Sequence, residues 1–571
     1  MIELLGPDIH PTLPLLAGAL AALITRGHLR RVLMLAAPIV GLVNLLGLDP
    51  AAFNGVALLG ADLTPVRLDG LSLLFGVLFH VAAFLGVLFA LHHQDTLEHT
   101  ASMVYAGAAI GAVCAGDLLT FFIFWELLAL SSAMLILARR DAQAIGATLR
   151  YLIVQVSAGV LLLAGAILLA HDTGSLAFGA IGLESAAGWL ILAALGIKAA
   201  FPLVHAWLTD AYPAATPTGA VFLSALTTKV AIYALARGFA GTELLIYVGV
   251  AMALFPILYG IIENDVRRVL SFSLIDQLGF MVVAIGIGTE LALNGAAGHA
   301  FVHVIYKSLL FMSIGAVVYA TGEARASELG GLARRMPWTA GFTVVGAASI
   351  SALPLFSGFV TKSMIMSAVV YEGMAGVWLA LMVAAVGVVV YVGVKVPYAV
   401  FFSQGPTAAE SVQEAPLNMR VAMGLAAALC VVIGLAPGLL YAHLPWPLDY
   451  SPYDVSHVLS QLQLVVFAAL AFAVLLRLGI YPRDRRAINL DSDWLYRRAG
   501  PVLYPTLARP VRTLAAGVDG AVQGIGQLSI SLARGLQYGS GGLLGRPWSA
   551  GFMAFWVAVL LGVTLVLYYL R

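Results

Sequence analysis

Charge is what this sequence has least of. Asp, Glu, Lys and Arg make up 10% of its 571 residues, against about 25% in a typical soluble chain, while 61% are apolar. That shortage excludes a soluble globular fold. The formal net charge of +1 gives no electrostatic reason for a nucleic-acid or acidic partner. Cysteine is nearly absent. Cys114 and Cys430 lie in apolar runs with no CxxC spacing, which excludes a disulfide framework or cysteine-held cluster and leaves two small buried residues. The opening "MIELLGPDIHP" has acids and no basic n-region. It does not read as a cleaved signal peptide, and the first apolar run is expected to remain as a membrane helix. No nucleotide, flavin, haem or iron–sulfur motif is found, so no cofactor is expected.

What is present is a series of apolar runs about 20 residues long, enough to cross a hydrocarbon core of about 30 Å. Hydropathy and helix breakers predict an all-α polytopic membrane protein of about sixteen transmembrane helices. They fall near 11–25, 30–48, 71–91, 101–115, 118–138, 147–170, 187–208, 217–237, 244–262, 268–288, 294–320, 340–371, 376–402, 421–440, 460–480 and 550–570. With that count the arginines sort to one side, with Arg67, Arg237 and Arg571 as the exceptions. The positive-inside rule makes that side cytoplasmic and places both termini outside.

Lysine is rarer still. Lys198, Lys229, Lys307, Lys362 and Lys395 are the whole set, and each falls inside a predicted span. A charge at mid-membrane costs about 2.5–3.5 kcal/mol on insertion scales, and a buried lysine, unlike arginine, can release its proton. Arginine here sets topology, and lysine is reserved for the bilayer interior. Lys198 and Lys229, on the seventh and eighth spans, form one pair, and Lys362 and Lys395, on the twelfth and thirteenth, another, an offset of five spans. The first lysine of each pair lies on a span interrupted by proline, Pro202 or Pro354. Two tandem units of five spans have opposite orientations, so the pattern predicts two inverted five-helix repeats with broken helices, a transporter arrangement. The expected organisation is N-terminal helices over 1–100, repeats over 101–238 and 239–403, additional spans over 404–481, a cytoplasmic or interfacial segment over 482–549 and a last span over 550–571.

Other polar groups lie in the same spans. Glu126 is centred in "FFIFWELLALSS" and is a partner for Lys198 or Lys229, either as a static pair or as a proton-exchanging one. His299, His303 and Lys307 recur at i, i+4 and i+8, so they share one helix face. They form a proton relay, a non-titrating satisfied pair, or a metal pair that lacks a carboxylate. Asp276 is an intramembrane acid site or an interfacial cap. His205 shares the broken helix with Lys198. His80, Trp125 and Trp207 read as packing.

These stretches together resemble the antiporter-like proton-translocating subunits shared by respiratory complex I, membrane hydrogenases and Mrp-type cation/proton antiporters. The resemblance rests on "VRLDGLSLLF", "FFIFWELLALSSAMLI", "GIKAAFPLVHAWLTDAYPAATPT", "ENDVRRVLSFS", "GHAFVHVIYKSLLFM" and "LPLFSGFVTKSMI". Within the family, "GIGTELALNGAAGHAFVHVIYK" and "GRPWSAGFMAFWVAVLL" look most like the MrpD type of antiporter subunit. The resemblance implies a proton path through Glu126, Lys198, Lys229, the His299–His303–Lys307 element and Lys362, while Ser224 stands where many members carry histidine. Lys395 has no such counterpart, and its role rests on the repeat. The implied function is a proton-translocating subunit of a multi-subunit Na⁺ or K⁺/H⁺ antiporter in a bacterial inner membrane, working with other membrane subunits. The alternative is a pumping subunit of a complex I-like NADH-quinone oxidoreductase or membrane-bound hydrogenase.

Overall fold

The computed structural model describes residues 9–49, 56–58, 61–404, 412–482 and 489–494, with isolated residues between 497 and 559. The chain divides into two compact units, residues 1–492 and 493–571. The predicted last span and most of the segment 482–549 lie outside the described residues.

The first unit is helical apart from a two-stranded hairpin, β1 (Val56–Leu58) and β2 (Ala61–Leu63). Its helices are α1 (Leu13–Ile24), α2 (Gly27–Gly47), α3 (Gly70–Ala90), α4 (Thr96–Cys114), α5 (Leu118–Leu137), α6 (Ala142–Thr173), α7 (Ala186–Lys198), α8 (Ala206–Ala214), α9 (Pro217–Ala225), α10 (Thr227–Gly238), α11 (Leu244–Ile262), α12 (Val266–Ile287), α13 (Glu290–Thr321), α14 (Pro337–Ile350), α15 (Ser357–Tyr371), α16 (Ala375–Val388), α17 (Lys395–Pro397), α18 (Leu417–Leu435), α19 (Gly438–Tyr441) and α20 (Val455–Arg477). Eleven spans among the described residues are long and apolar enough to cross a membrane. The rest of the predicted crossings correspond to α1, α4 and the broken pairs α7–α8 and α14–α15.

The scarce acids are spent at helix starts. Asp69, Asp95, Asp117, Asp141, Asp265 and Asp454 are the N-caps of α3, α4, α5, α6, α12 and α20, each accepting from first-turn N–H groups. These are donors a helix cannot satisfy itself. Contacts between loops sort them into two sides. Asp95 pairs with Arg140, Arg139 donates to the Pro213 carbonyl and Arg267 to those of Tyr212 and Ala215. On the opposite side, Arg237 pairs with Asp69 at 2.8 Å and Arg67 donates to the Phe178 carbonyl at 2.6 Å. The sorting matches the arginine count. It makes α4 and α11, the first members of the two five-helix sets, run in opposite directions.

The breaks in the two sets are built alike. Ala200-Phe201-Pro202-Leu203 and Ala352-Leu353-Pro354-Leu355 correspond residue for residue. Ala200 (φ 62), Leu203 (φ 72), Ala352 (φ 54) and Leu355 (φ 75) are all left-handed, a conformation costing about 1–3 kcal/mol for such residues. Before each proline, the N–H of Phe201 or Leu353 reaches five residues back, to Gly196 (2.9 Å) or Ala348 (3.0 Å). A third interruption was not predicted: span 217–237 kinks at Leu226, between α9 and α10. A fourth irregularity is the π-helical winding over Val389–Val394 and Tyr398–Phe402, on either side of α17.

Candidate functional site

Glu126 lies midway along α5, half-buried. Its carboxylate is packed against Gly159 of α6, where any Cβ would collide with Oε1. That oxygen has no hydrogen-bond partner. Glu126 does not form the static pair that its position allowed. The fully buried Lys198, the last residue of α7, instead donates to the Trp125 carbonyl at 2.9 Å. Its Nζ lies 3.8 Å from the Trp125 ring centroid. Trp207 does more than pack: its indole N–H donates to the Ile197 carbonyl at 2.8 Å, a group at the end of α7 that also accepts from the Ala200 N–H at 3.1 Å.

Lys229 is likewise held by backbone alone. The kink at Leu226 frees the Ser224 carbonyl, and Lys229 Nζ donates to it at 2.6 Å. The amide the kink exposes, that of Thr227, is met by the Tyr105 hydroxyl of α4 at 3.0 Å, which also bonds Thr227 Oγ1 at 2.6 Å. So a buried tyrosine that the sequence reading passed over holds the kink under Lys229.

The second set centres on Asp276, fully buried in α12. It is an intramembrane acid, not an interfacial cap. Tyr391, placed by the π-helical turn, donates to Oδ2 at 3.0 Å, and Gln277 Nε2 to Oδ1 at 3.1 Å. Gln277 is a hub: its Oε1 lies 3.3 Å from His299 Nε2 and accepts from the Tyr306 hydroxyl at 3.2 Å. His299 Nδ1 meets Thr361 Oγ1 at 2.9 Å, beside Lys362. Lys307 donates to Ser273 Oγ and to the Leu270 carbonyl. His303 is fully buried, its ring stacked 6.0 Å from His299, and neither nitrogen has a partner.

Lys362 belongs to α15 but reaches back across the break to the Ile350 carbonyl of α14, at 3.2 Å. In the alignment of the two breaks, Ile350 is the counterpart of Lys198. The two lysines therefore serve the same structural position from opposite half-helices. A cavity of about 270 Å³ runs from Lys362 along Ser367, Ser456, His457 and Gln461, toward the side away from the arginines.

Among fully buried side chains, Gln155 and His303 leave both polar atoms without a protein partner, and Thr228 leaves its hydroxyl so. Buried polar atoms are almost always bonded to protein or to ordered water, so the region around the lysines is one that water can wet. Two candidates lie off this line. His205 bonds Asp491 Oδ1 at 3.0 Å, and Lys395 donates to the Ile261 and Glu263 carbonyls at 2.8 and 2.9 Å, closing the end of α11. His80 bonds the Gly76 carbonyl at 2.7 Å within its own helix. Gln277, Tyr391, Tyr105 and Gln155 are the polar residues that sequence reasoning missed. Their signal was polarity inside apolar runs without charge.

Residues 115–389 match the family described as NADH:quinone oxidoreductase/Mrp antiporter, TM. Hydrogenase-4 component B of Escherichia coli (strain K12) is 29% identical over 422 residues, covering 66% of this chain and 63% of its own length. The A1 protein of the Na(+)/H(+) antiporter of Staphylococcus aureus (strain JH9) is 29% identical over 490 residues, covering 76% and 60%. The chain thus spans only part of the curated relatives it matches. Two solved structures share the fold. One is a chain of the Mrp complex from Dietzia sp. DQ12-45-1b, with a TM-score of 0.65 at 23% identity over 79% of this chain and 95% of that one. The other is a chain of the membrane-bound sulfane sulfur reductase, an archaeal respiratory membrane complex, with a TM-score of 0.69 at 22% identity over 98% and 99%. These matches leave the MrpD and MrpA types undistinguished.

Proposed function

Because the chain belongs, over residues 115–389, to the NADH:quinone oxidoreductase/Mrp antiporter family, we propose that it is the proton-translocating subunit of a multi-subunit Na⁺ or K⁺/H⁺ antiporter. It sits in a bacterial inner membrane with its arginine-rich side in the cytoplasm. One observation carries the reading. Lys198, Lys229, Lys307 and Lys362 are buried in the membrane region, and each is held by backbone carbonyls or a hydroxyl, not by a carboxylate. A locked ion pair would fix the charge in place. A lysine held by neutral acceptors keeps its donors whether it passes a proton on or takes one up.

The path runs from Glu126 and Lys198 through Lys229 to His303, Lys307, Asp276 and His299, and leaves by Lys362 and its cavity. Charge on one lysine disfavours charge on the next, which moves the proton forward. Antiport is measured as cation-driven proton movement in membrane vesicles. Glu126→Ala and Lys198→Ala are each expected to abolish it while the complex still assembles. Normal exchange by both variants would sink the relay.

The similarity to hydrogenase-4 component B favours a second reading, a non-redox pumping subunit of a hydrogenase-like or quinone-reducing complex. Iron–sulfur or flavin proteins copurifying with the chain would select it. Small membrane proteins without redox centres would select the antiporter.

A further inference from the structure

Away from the lysines, at the arginine-rich rim, a cavity of about 300 Å³ lies between the start of α2 and the turn joining α3 to α4. Arg26, Arg30, Arg31, His93 and His99 line it, and no acidic side chain does. Two carboxylates on neighbouring residues of the α3–α4 turn and α4 already have partners. Asp95 caps α4 and pairs with Arg140. Glu98 accepts from Thr216 and Thr218 and lies 3.4 Å from His93.

Arg30 is 8% exposed and anchored by its Nε to the Thr25 carbonyl at 2.8 Å. Arg26 and Arg31 pair with no carboxylate among the described residues. Arg26 is itself the N-cap of α2 and gives that helix no side-chain acceptor, so the first N–H groups of a 21-residue helix also point into basic surroundings. Beyond the Glu98–His93 contact no carboxylate balances the three arginines of this partly enclosed cluster, which costs self-repulsion unless an anion fills it. Planar guanidinium groups pair bidentately with phosphate or carboxylate oxygens, and no carboxylate lines the cavity.

We propose that this cavity binds a phosphate group. The lipid-facing flank of α2 favours an acidic phospholipid as its source: beyond the arginines along the helix, Val32, Ile39 and Val40 are 63%, 51% and 44% exposed, where acyl chains would lie. Basic pockets between membrane helices at this depth hold such headgroups.

The test uses the full chain in detergent and the paired variant Arg26→Gln/Arg31→Gln. Among the described residues neither side chain makes a hydrogen bond or ion pair, whereas Arg30 donates to the Thr25 and Gln94 carbonyls. Binding is read by native mass spectrometry after exposure to phosphatidylglycerol or phosphatidylcholine vesicles. Thermal unfolding with inorganic phosphate forms the second arm. The wild type is expected to retain phosphatidylglycerol over phosphatidylcholine, and the variant to lose roughly fivefold of that preference per arginine. A control, Arg334→Gln/Arg335→Gln, removes two exposed arginines on the same side and is expected to leave the preference intact. Phosphate stabilising the wild type but not the variant, with no lipid preference, would place the same site in the service of a soluble anion. Equal behaviour of wild type and variant in both arms, or equal loss in the control, would overturn the proposal.

Discussion

Glu126 owes its place to what Gly159 lacks. A methyl group there would occupy the position of the carboxylate oxygen. Gly159→Ala is therefore expected to slow antiport about tenfold, a change of ~1.4 kcal/mol, and Gly159→Ala combined with Glu126→Asp to recover part of it by shortening the acid. Exchange rates in vesicles from both variants check this. At the opposite rim, burial pushes the Asp69 carboxyl up, but the hydrogen bonds and charge of Arg237 outweigh it and hold the group at about 2. With the folded value below the unfolded one, this pair contributes stability fully above the ordinary carboxylate range and loses it as pH falls toward 2. Acid unfolding followed by intrinsic fluorescence should show that component between about pH 4 and pH 2 in the wild type and lack it in Asp69→Asn. The lysines, Glu126 and the histidine series could be read from the sequence because charge in an apolar run is conspicuous. Asp276 was ambiguous and Gln277 was not singled out, because α12 is buried on nearly every side, so what each side chain meets is set by its neighbours, and no local spacing records that.

At the scale of elements, proline announced two of the four irregularities. Pro202 and Pro354 cannot donate and bend their helices, so both breaks were expected where they occur. The kink at Leu226 has no proline or glycine beside it. It depends on Tyr105 of another helix taking the freed amide, a tertiary event that sequence periodicity does not register. The winding around Lys395, which positions Tyr391 on Asp276, does contain Gly393 and Pro397, but those residues alone do not specify a π-helical turn. The left-handed alanines give a direct test. Ala200→Val and Ala352→Val place a β-branched side chain where φ is positive and are expected to destabilise by about 1–2 kcal/mol, whereas Ala200→Gly and Ala352→Gly are tolerated. Thermal unfolding of the four variants, with Ala199→Val as a helical reference, measures the difference.

Across the described residues, the crossings and the two-sided sorting of arginine were legible because the bilayer imposes length and charge rules on every span. The pairing of halves was legible only through lysine spacing and proline, since little identity remains between them. In the structure the correspondence is closer than the sequence suggested. Each set supplies an acid on its second span, Glu126 or Asp276, and a lysine at its break. If the sets work in series, a step lost from either one stops the path. Lys362→Ala alone is then expected to abolish the proposed antiport as Lys198→Ala does, since both belong to one unit. Initial antiport rates of the two single variants decide it, and a partial rate left in each would point to two parallel paths.

The mirrored breaks have an electrical consequence. An α-helix carries a partial negative charge at its C-terminal end, equivalent to about half an elementary charge. α7 ends at Lys198 coming from one face of the membrane, and α14 ends at Ile350 coming from the other. Both negative poles therefore meet the lysine ammonium groups in mid-span, while the dipoles themselves are opposed. A transmembrane voltage, worth about 2.3 kcal/mol per charge per 100 mV, pulls the two half-helices in opposite senses. The two half-helix dipoles are thus balanced against the field, which in the proposed relay leaves the moving charge to feel the voltage.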